Sequence, residues 1–153
     1  MLECSSNKEV FMSFDYTDEG GKPYVVDIED LTVSNTDFRV AKWTGTNLQM
    51  TVMSIKPGGE VGLEVHNDID QFLRVEDGEA KVLMGDTEDN LDFEATVADD
   101  FAIFVPAGKW HNIINTGDDD LKIYSIYAPG EHPKGTVHKT YDEAMAAEAE
   151  HHH

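Results

Sequence analysis

The sequence is short of several things. It has one cysteine, Cys4, among 153 residues, so no internal disulfide can staple the fold. That favours a reducing, cytoplasmic compartment, and Cys4 lies too close to the N-terminus to suggest a catalytic thiol. No run approaches the ~18 apolar residues of a membrane-spanning helix. The opening MLECSSNKEV also lacks the apolar stretch of a secretion signal. Cations are scarce: 11 Lys plus Arg stand against 31 Asp plus Glu, a formal charge of −20. Such a balance repels phosphate backbones and anionic lipid, which argues against nucleic acid and membrane surfaces as partners. Helical periodicity is nearly absent. Only EAMAAEAE (143–150) has the composition of a helix, and it is short.

What remains is a soluble globular composition, 40% hydrophobic and 27% charged, of a length that suits a single domain spanning 1–153. Residues 1–23 are polar and read as an N-terminal arm. His151 to His153 read as the remnant of a purification tag and are set aside. From Tyr24 onward, short runs rich in Val, Ile, Phe and Tyr recur, each closed by Gly, Pro, Asn or Asp. They are YVVDI (24–28), FRVAKW (38–43), LQMTVMSI (48–55), VGLEVH (61–66), QFLRVE (71–76), EAKVLM (79–84), LDFEATV (91–97), FAIFVP (101–106), HNIIN (111–115) and LKIYSIYA (121–128). Strands at this spacing predict a β-sandwich or barrel. In LKIYSIYA, Ile123 and Ile126 fall on opposite faces, so that strand is expected to be covered on both sides. The acidic segment DTEDNLD (86–92) reads as a solvated connection.

One stretch carries chemistry: GLEVHNDIDQF (62–72). Residues two apart in a strand share a face, so Glu64 and His66 should project together. A hairpin through Asn67 to Asp70 would bring Gln71 beside them. A fourth residue comes from PAGKWH, whose turn aims His111. Two imidazoles, a carboxylate and an amide oxygen make a set for a divalent metal. The alternative is a metal-free polar pocket in which the four bond to each other or to water. An unpaired buried Glu64 would then be costly, which favours a cation near it. Arg74, three residues past Gln71, faces away; Arg39 has no clear register.

These residues resemble the two cupin motifs. Gly58 is followed by five residues and then Glu64-x-His66; four residues later comes Gln71, then six residues and Gly78. Downstream, Asp100 stands where glycine is usual, while Pro106, Gly108, His111 and Asn115 match. The resemblance extends over roughly 38–130. The chain is also similar to a small group of single-domain bacterial cupins labelled mannose-6-phosphate-isomerase-like, in which a GLEVH…DQF segment replaces the usual histidine pair and glutamate. The resemblance implies an all-β, double-stranded β-helix (jelly-roll) barrel, with an N-terminal arm and a short C-terminal helix. It also implies a homodimer and one divalent metal held inside the barrel by Glu64, His66, Gln71 and His111. YVVDI would suit exchange between subunits.

Two of the usual ligand types are exchanged here. Glu64 takes the place of a histidine and Gln71 that of the glutamate, so the set keeps one negative charge. It is harder than the usual set, which suits iron(II), manganese or zinc. Without Gln71, the residues Glu64, His66 and His111 are those of a two-histidine, one-carboxylate triad. The implied function is a metal enzyme acting on a small sugar-like or hydroxy-carbonyl substrate. Isomerase or lyase chemistry fits, as does dioxygenase chemistry with iron, with Glu64 and His111 in catalytic roles. The alternatives are a non-catalytic binder of a metal or metabolite, and a structural dimer with a vestigial pocket. His132 and His138 lie after the last clear strand, as acid–base groups at the barrel mouth or as part of a surface arm. Trp43, Trp110 and Tyr124 read as packing, Met50, Met53 and Met84 as core filler.

Overall fold

In the computed structural model, residues 14–151 are described. Cys4 and the last two histidines lie outside them, as does most of the arm. Helix α1 (Ile28–Ser34) precedes strands β1 (Arg39–Thr44), β2 (Gln49–Ile55), β3 (Asp70–Asp77), β4 (Glu79–Gly85), β5 (Phe93–Ala98), β6 (Ala102–Val105), β7 (Trp110–Asn115), β8 (Leu121–Ala128) and β9 (Val137–His138), and helix α2 (Tyr141–His151) closes the series. A six-stranded sheet runs β6-β3-β8-β2-β1-β9, and a three-stranded sheet runs β5-β4-β7. Every strand pairing is antiparallel. The two sheets close over one core that includes Met53, Leu73, Val75, Val82, Ile113 and Ile123. The result is an all-β jelly-roll barrel.

The pairing register sorts the large sheet into two faces. Gln71 opposes Tyr127, which opposes Gln49. Leu73, Ser125, Thr51 and Ala41 form the next row, and Val75, Ile123, Met53 and Arg39 the one after. These rows face the barrel interior, because they hold the core residues Leu73, Val75, Ile123 and Met53. The opposite face of the sheet is covered too. The buried Lys42 ammonium donates to the carbonyls of Asp15 (2.5 Å) and Thr17 (2.9 Å), and that of Lys122 to Asn35 (2.5 Å). Strand β8 is therefore covered on both sides, as its alternation predicts. Ile123 is buried inside and Ile126 half-buried outside.

Two predicted strands fail. YVVDI is not one: Val25 is exposed, and Asp27 instead caps α1 by accepting from the Asp30 amide at 3.1 Å. Glu29 and Asp30 then complement the positive end of the helix. The aspartate that closes an apolar run in sequence opens a helix in space. VGLEVH is not a regular strand either. It runs beside β7, touching it through single bridges of Glu60 with Ile114 and Glu64 with His111. The expected hairpin with β3 is absent, since β3 lies between β6 and β8 in the other sheet. The chain crosses between the sheets after His66. A further strand, β9, adds residues beyond the expected barrel limit of 130, pairing His138 with Arg39.

Candidate metal centre

The glycine positions of both motifs have a common backbone cause. Gly58, Gly78 and Gly108 hold φ of 77°, 121° and 86°. Asp100, at the fourth such position, is the only non-glycine residue with positive φ among the described residues, at 74°. Aspartate tolerates this left-handed conformation better than most side chains. Arg74 helps to hold it there, donating to Asp100 at 2.9 Å and to Glu76 at 2.5 Å. Arg74 thus faces away from Glu64, as its position past Gln71 predicts.

Gly108 sits third in the turn Pro106-Ala107-Gly108-Lys109, closed by the Lys109 amide on the Pro106 carbonyl at 3.2 Å. The Gly108 amide donates to the His66 carbonyl at 2.9 Å, which ties the turn to the segment that carries His66. Two residues past the turn, His111 exchanges two main-chain bonds with Glu64, at 2.9 and 3.0 Å. The sheet crossing and the turn thereby bring three side chains together. Glu64 Oε2 lies 3.5 Å from His66 Nε2 and 3.6 Å from His111 Nε2. The ligating atoms of the three all lie within 4.8 Å of one another. Glu64 and His66 do project together, but through bridging to β7 rather than through strand alternation.

Gln71 reaches the interior from β3, where it is buried and donates from Nε2 to Ser125 Oγ at 2.7 Å. That bond fixes the amide so that Oε1 is the free end. Seven buried side-chain polar atoms lack a hydrogen-bond partner among the described residues. Four of them are Glu64 Oε2, His66 Nε2, Gln71 Oε1 and His111 Nε2, one from each of the four residues singled out in the sequence. Each unpaired buried polar atom costs ~1–3 kcal/mol, so four in one barrel need a common explanation. A cation satisfies lone pairs of these kinds at once, and the donor set fits a divalent metal.

Neighbouring groups orient the imidazoles. His111 Nδ1 lies 3.0 Å from the Lys109 carbonyl, which can only accept. Nδ1 therefore carries the proton, leaving the Nε2 lone pair turned inward. His66 Nδ1 faces the Glu131 carboxylate at 3.6 Å. Such outer partners are typical of metal-bound histidines. Glu131 is itself placed by Gln49, whose Oε1 accepts from the amides of Glu131 (3.1 Å) and His132 (2.9 Å). Burial pushes the Glu64 carboxyl up, but the facing His111 and His66 rings and the charge of Arg39 outweigh it, and it stays ionised. Burial opposes charge on His66, yet Glu64 and Glu131 raise it above its ordinary value.

At the mouth, Tyr127 and Glu131 were missed in the sequence, whereas His132 and His138 lie there as one of their two readings had it. Tyr127 is buried with its ring edge-on to His66, and burial, against the opposing charge of Arg39, pushes its phenol up to about 12, so it keeps its proton. His132 stacks edge-on against Tyr127, and burial followed by the Arg39 charge lowers it to about 2, so it stays neutral. His138 is buried on β9. Neither histidine lies on a surface arm. A cleft of about 420 Å³ lies outside them, lined by Glu131, His132, His138, Ala147 and Glu148. The larger cleft, about 640 Å³, lies elsewhere, between Phe38, Pro57 and Tyr141, and touches none of the four.

Fold and motifs agree with the comparison against known families: the cupin domain family matches residues 51–127, and the chain belongs to it. The chain is 55% identical over 131 residues to the protein YrkC of Bacillus subtilis (strain 168), described as uncharacterized, covering 86% of this chain and 70% of YrkC. It is 38% identical over 115 residues to protein L612 of Acanthamoeba polyphaga mimivirus, covering 74% of this chain and 70% of L612. The crystal structure of BH2720 from Bacillus halodurans superposes with a TM-score of 0.84 at 58% identity, covering 85% of this chain and 98% of that one.

Proposed function

We propose that this cupin is a metal-dependent enzyme for a small sugar-like or hydroxy-carbonyl compound, with its reaction centre at Glu64, His66, Gln71 and His111. The observation that carries the reading is the set of four buried, unpartnered atoms, one on each of these residues. Glu64, His66 and His111 would hold iron(II), manganese or zinc, with Gln71 Oε1 as a fourth donor. When bound, such an ion polarises substrate oxygens as a Lewis acid.

The chain's own groups prepare the rest. The Lys109 carbonyl and Glu131 keep the two imidazoles turned inward. Tyr127 offers a protonated phenol beside His66, and His132 a neutral ring beside Tyr127. With the phenol pushed up to about 12 and the imidazole down to about 2, both keep their protonation states near neutral pH, so they serve to orient a substrate by hydrogen bonding rather than to exchange protons with it. Ala144, fully buried on α2, and Met145 pack against the core and help to keep water out of the barrel.

The test incubates protein loaded with each of the three metals with a panel of aldoses, ketoses and hydroxy-carbonyl compounds, following both product and melting temperature. Product that is lost in His111→Ala supports the enzyme. A melting shift without product would mark a binding module instead.

A further inference from the structure

The remaining three unpartnered buried atoms are Arg39 Nε, Arg39 Nη2 and Thr51 Oγ1. Arg39 is fully buried, its side chain 0% exposed, on the inner face of β1. Its Nη1 is engaged, at 3.4 Å from Glu148 on α2 and 3.4 Å from His138 on β9. Nε and Nη2 form the opposite, side-on edge of the planar guanidinium, with two parallel N–H groups and nothing among the described residues to receive them. An arginine edge of this kind matches the two oxygens of a carboxylate. Thr51 stands diagonally across from Arg39 on the same inner face, two rungs along the β1–β2 ladder, with its hydroxyl also unpartnered. Glu148 and His138, which hold Nη1, line the 420 Å³ cleft at the mouth.

We infer that the barrel binds a small carboxylate, received by the Nε/Nη2 edge of Arg39 and by Thr51, which rests on the proposal that the compound's other oxygens meet the four-residue centre. The substrate class is then a hydroxy- or oxo-monocarboxylate rather than a neutral sugar. Charge selects a monoanion. Glu64, Glu131 and Glu148 all face this cluster, against one guanidinium and one divalent ion. Those charges already cancel, three against three, so each negative charge on the ligand adds repulsion; one carboxylate is met by the paired N–H groups of Arg39, and a second charge, as on a phosphate ester, has no such donor among the described residues. The role of Arg39 is substrate binding, while Glu148 and His138 position it by occupying Nη1 so that the other edge stays aimed inward.

The experiment is calorimetric titration of the full chain, metal-loaded and metal-free, with lactate, lactamide and inorganic phosphate, for the native protein, Arg39→Lys and Thr51→Val. Lactamide keeps the shape of lactate without its charge. The expected result is lactate binding about tenfold or more tighter than either lactamide or phosphate. Arg39→Lys should lose most of that preference while holding its metal, and Thr51→Val should weaken lactate by a few fold without changing the melting temperature much. Equal binding of lactate and lactamide, tighter binding of phosphate, or no lactate binding by native protein would overturn the inference. Failure of the metal reading shows separately, as absent metal, and the lactate–lactamide comparison on the metal-free chain then still decides the Arg39 site. Thr51→Val keeps the test open if Arg39→Lys does not fold.

Discussion

Glu64 and His111 are bonded to each other twice through their main chains, at 2.9 and 3.0 Å, and face each other through their side chains at 3.6 Å. The irregular 61–66 segment is therefore tied to β7, so two of the four candidate ligands are preset before any ion arrives. Preorganisation of this kind keeps the cost of binding low.

Metal should stabilise the fold measurably. At a free metal concentration 100 times the dissociation constant, the gain is ~2.7 kcal/mol. Chelation followed by dialysis should lower the melting temperature, and adding back one equivalent of manganese or zinc should restore it. An unchanged melting curve would count against a metal held by these residues.

Glu131 should act through His66. Glu131→Gln removes the charge facing His66 Nδ1 but keeps the loop bond to Gln49, which is made by the main chain. Metal affinity should fall by ~10–100-fold, as for other outer partners of metal-bound histidines, with the melting temperature of the metal-free protein little changed. Competition with a fluorescent chelator reads the affinity directly.

Asp18 fastens the residues before the barrel to the loop that follows it. Its carboxylate accepts from the Gly20 amide at 2.9 Å, the Thr44 hydroxyl at 2.6 Å and the Gly135 amide at 2.8 Å. Burial pushes this carboxyl up, but those bonds more than offset it, so its pKa lies below the ordinary 3.8. The unfolded chain therefore binds the proton more readily than the folded one. The contribution is present above the ordinary carboxylate range and is lost as pH falls through the lowered value. Asp18→Asn should cost ~1 kcal/mol near neutral pH, and its denaturation midpoint should converge with that of the native protein in acid. A constant gap between the two at every pH would refute this role.

Asp100 isolates the backbone requirement of the second motif. Asp100→Ala should destabilise by ~1–2 kcal/mol, because alanine at φ 74° is strained and the Arg74 bond is lost. Asp100→Gly should destabilise less, since glycine relieves the strain while losing the same bond. Urea denaturation of both variants measures the order, and alanine equal to glycine would show that φ is not the constraint.

The grouping of Glu64, His66 and His111 was legible in the sequence because motif spacing carries backbone geometry. Gly58, Gly78, Gly108 and Asp100 all hold positive φ, and the glycine turns leave a pattern that survives in one dimension. The way the site assembles was not legible. Glu64 and His66 look like a strand by alternation, yet the segment makes only single bridges to β7, and nothing local reveals which sheet will receive it. Arg39 was illegible for a different reason. Phe38, Arg39, Val40, Ala41 and Lys42 are all buried, because β1 is covered on both sides, so alternation gives no way to say which residues face the interior. Glu131 and Glu148 enter the site from a loop and from α2, where placement depends on tertiary contacts such as Gln49 with the 131–132 amides. YVVDI misleads because an aspartate after an apolar run ends a strand or caps a helix equally well.

The most direct test of the central claim is elemental analysis of the protein with His151 to His153 removed, beside the His66→Ala, His111→Ala double variant prepared in the same way. About one iron, manganese or zinc per chain is expected in the native protein, as the family pattern of one ion per barrel implies, and none in the variant. Absence of metal from both, persisting after reconstitution with each of the three ions, would contradict it.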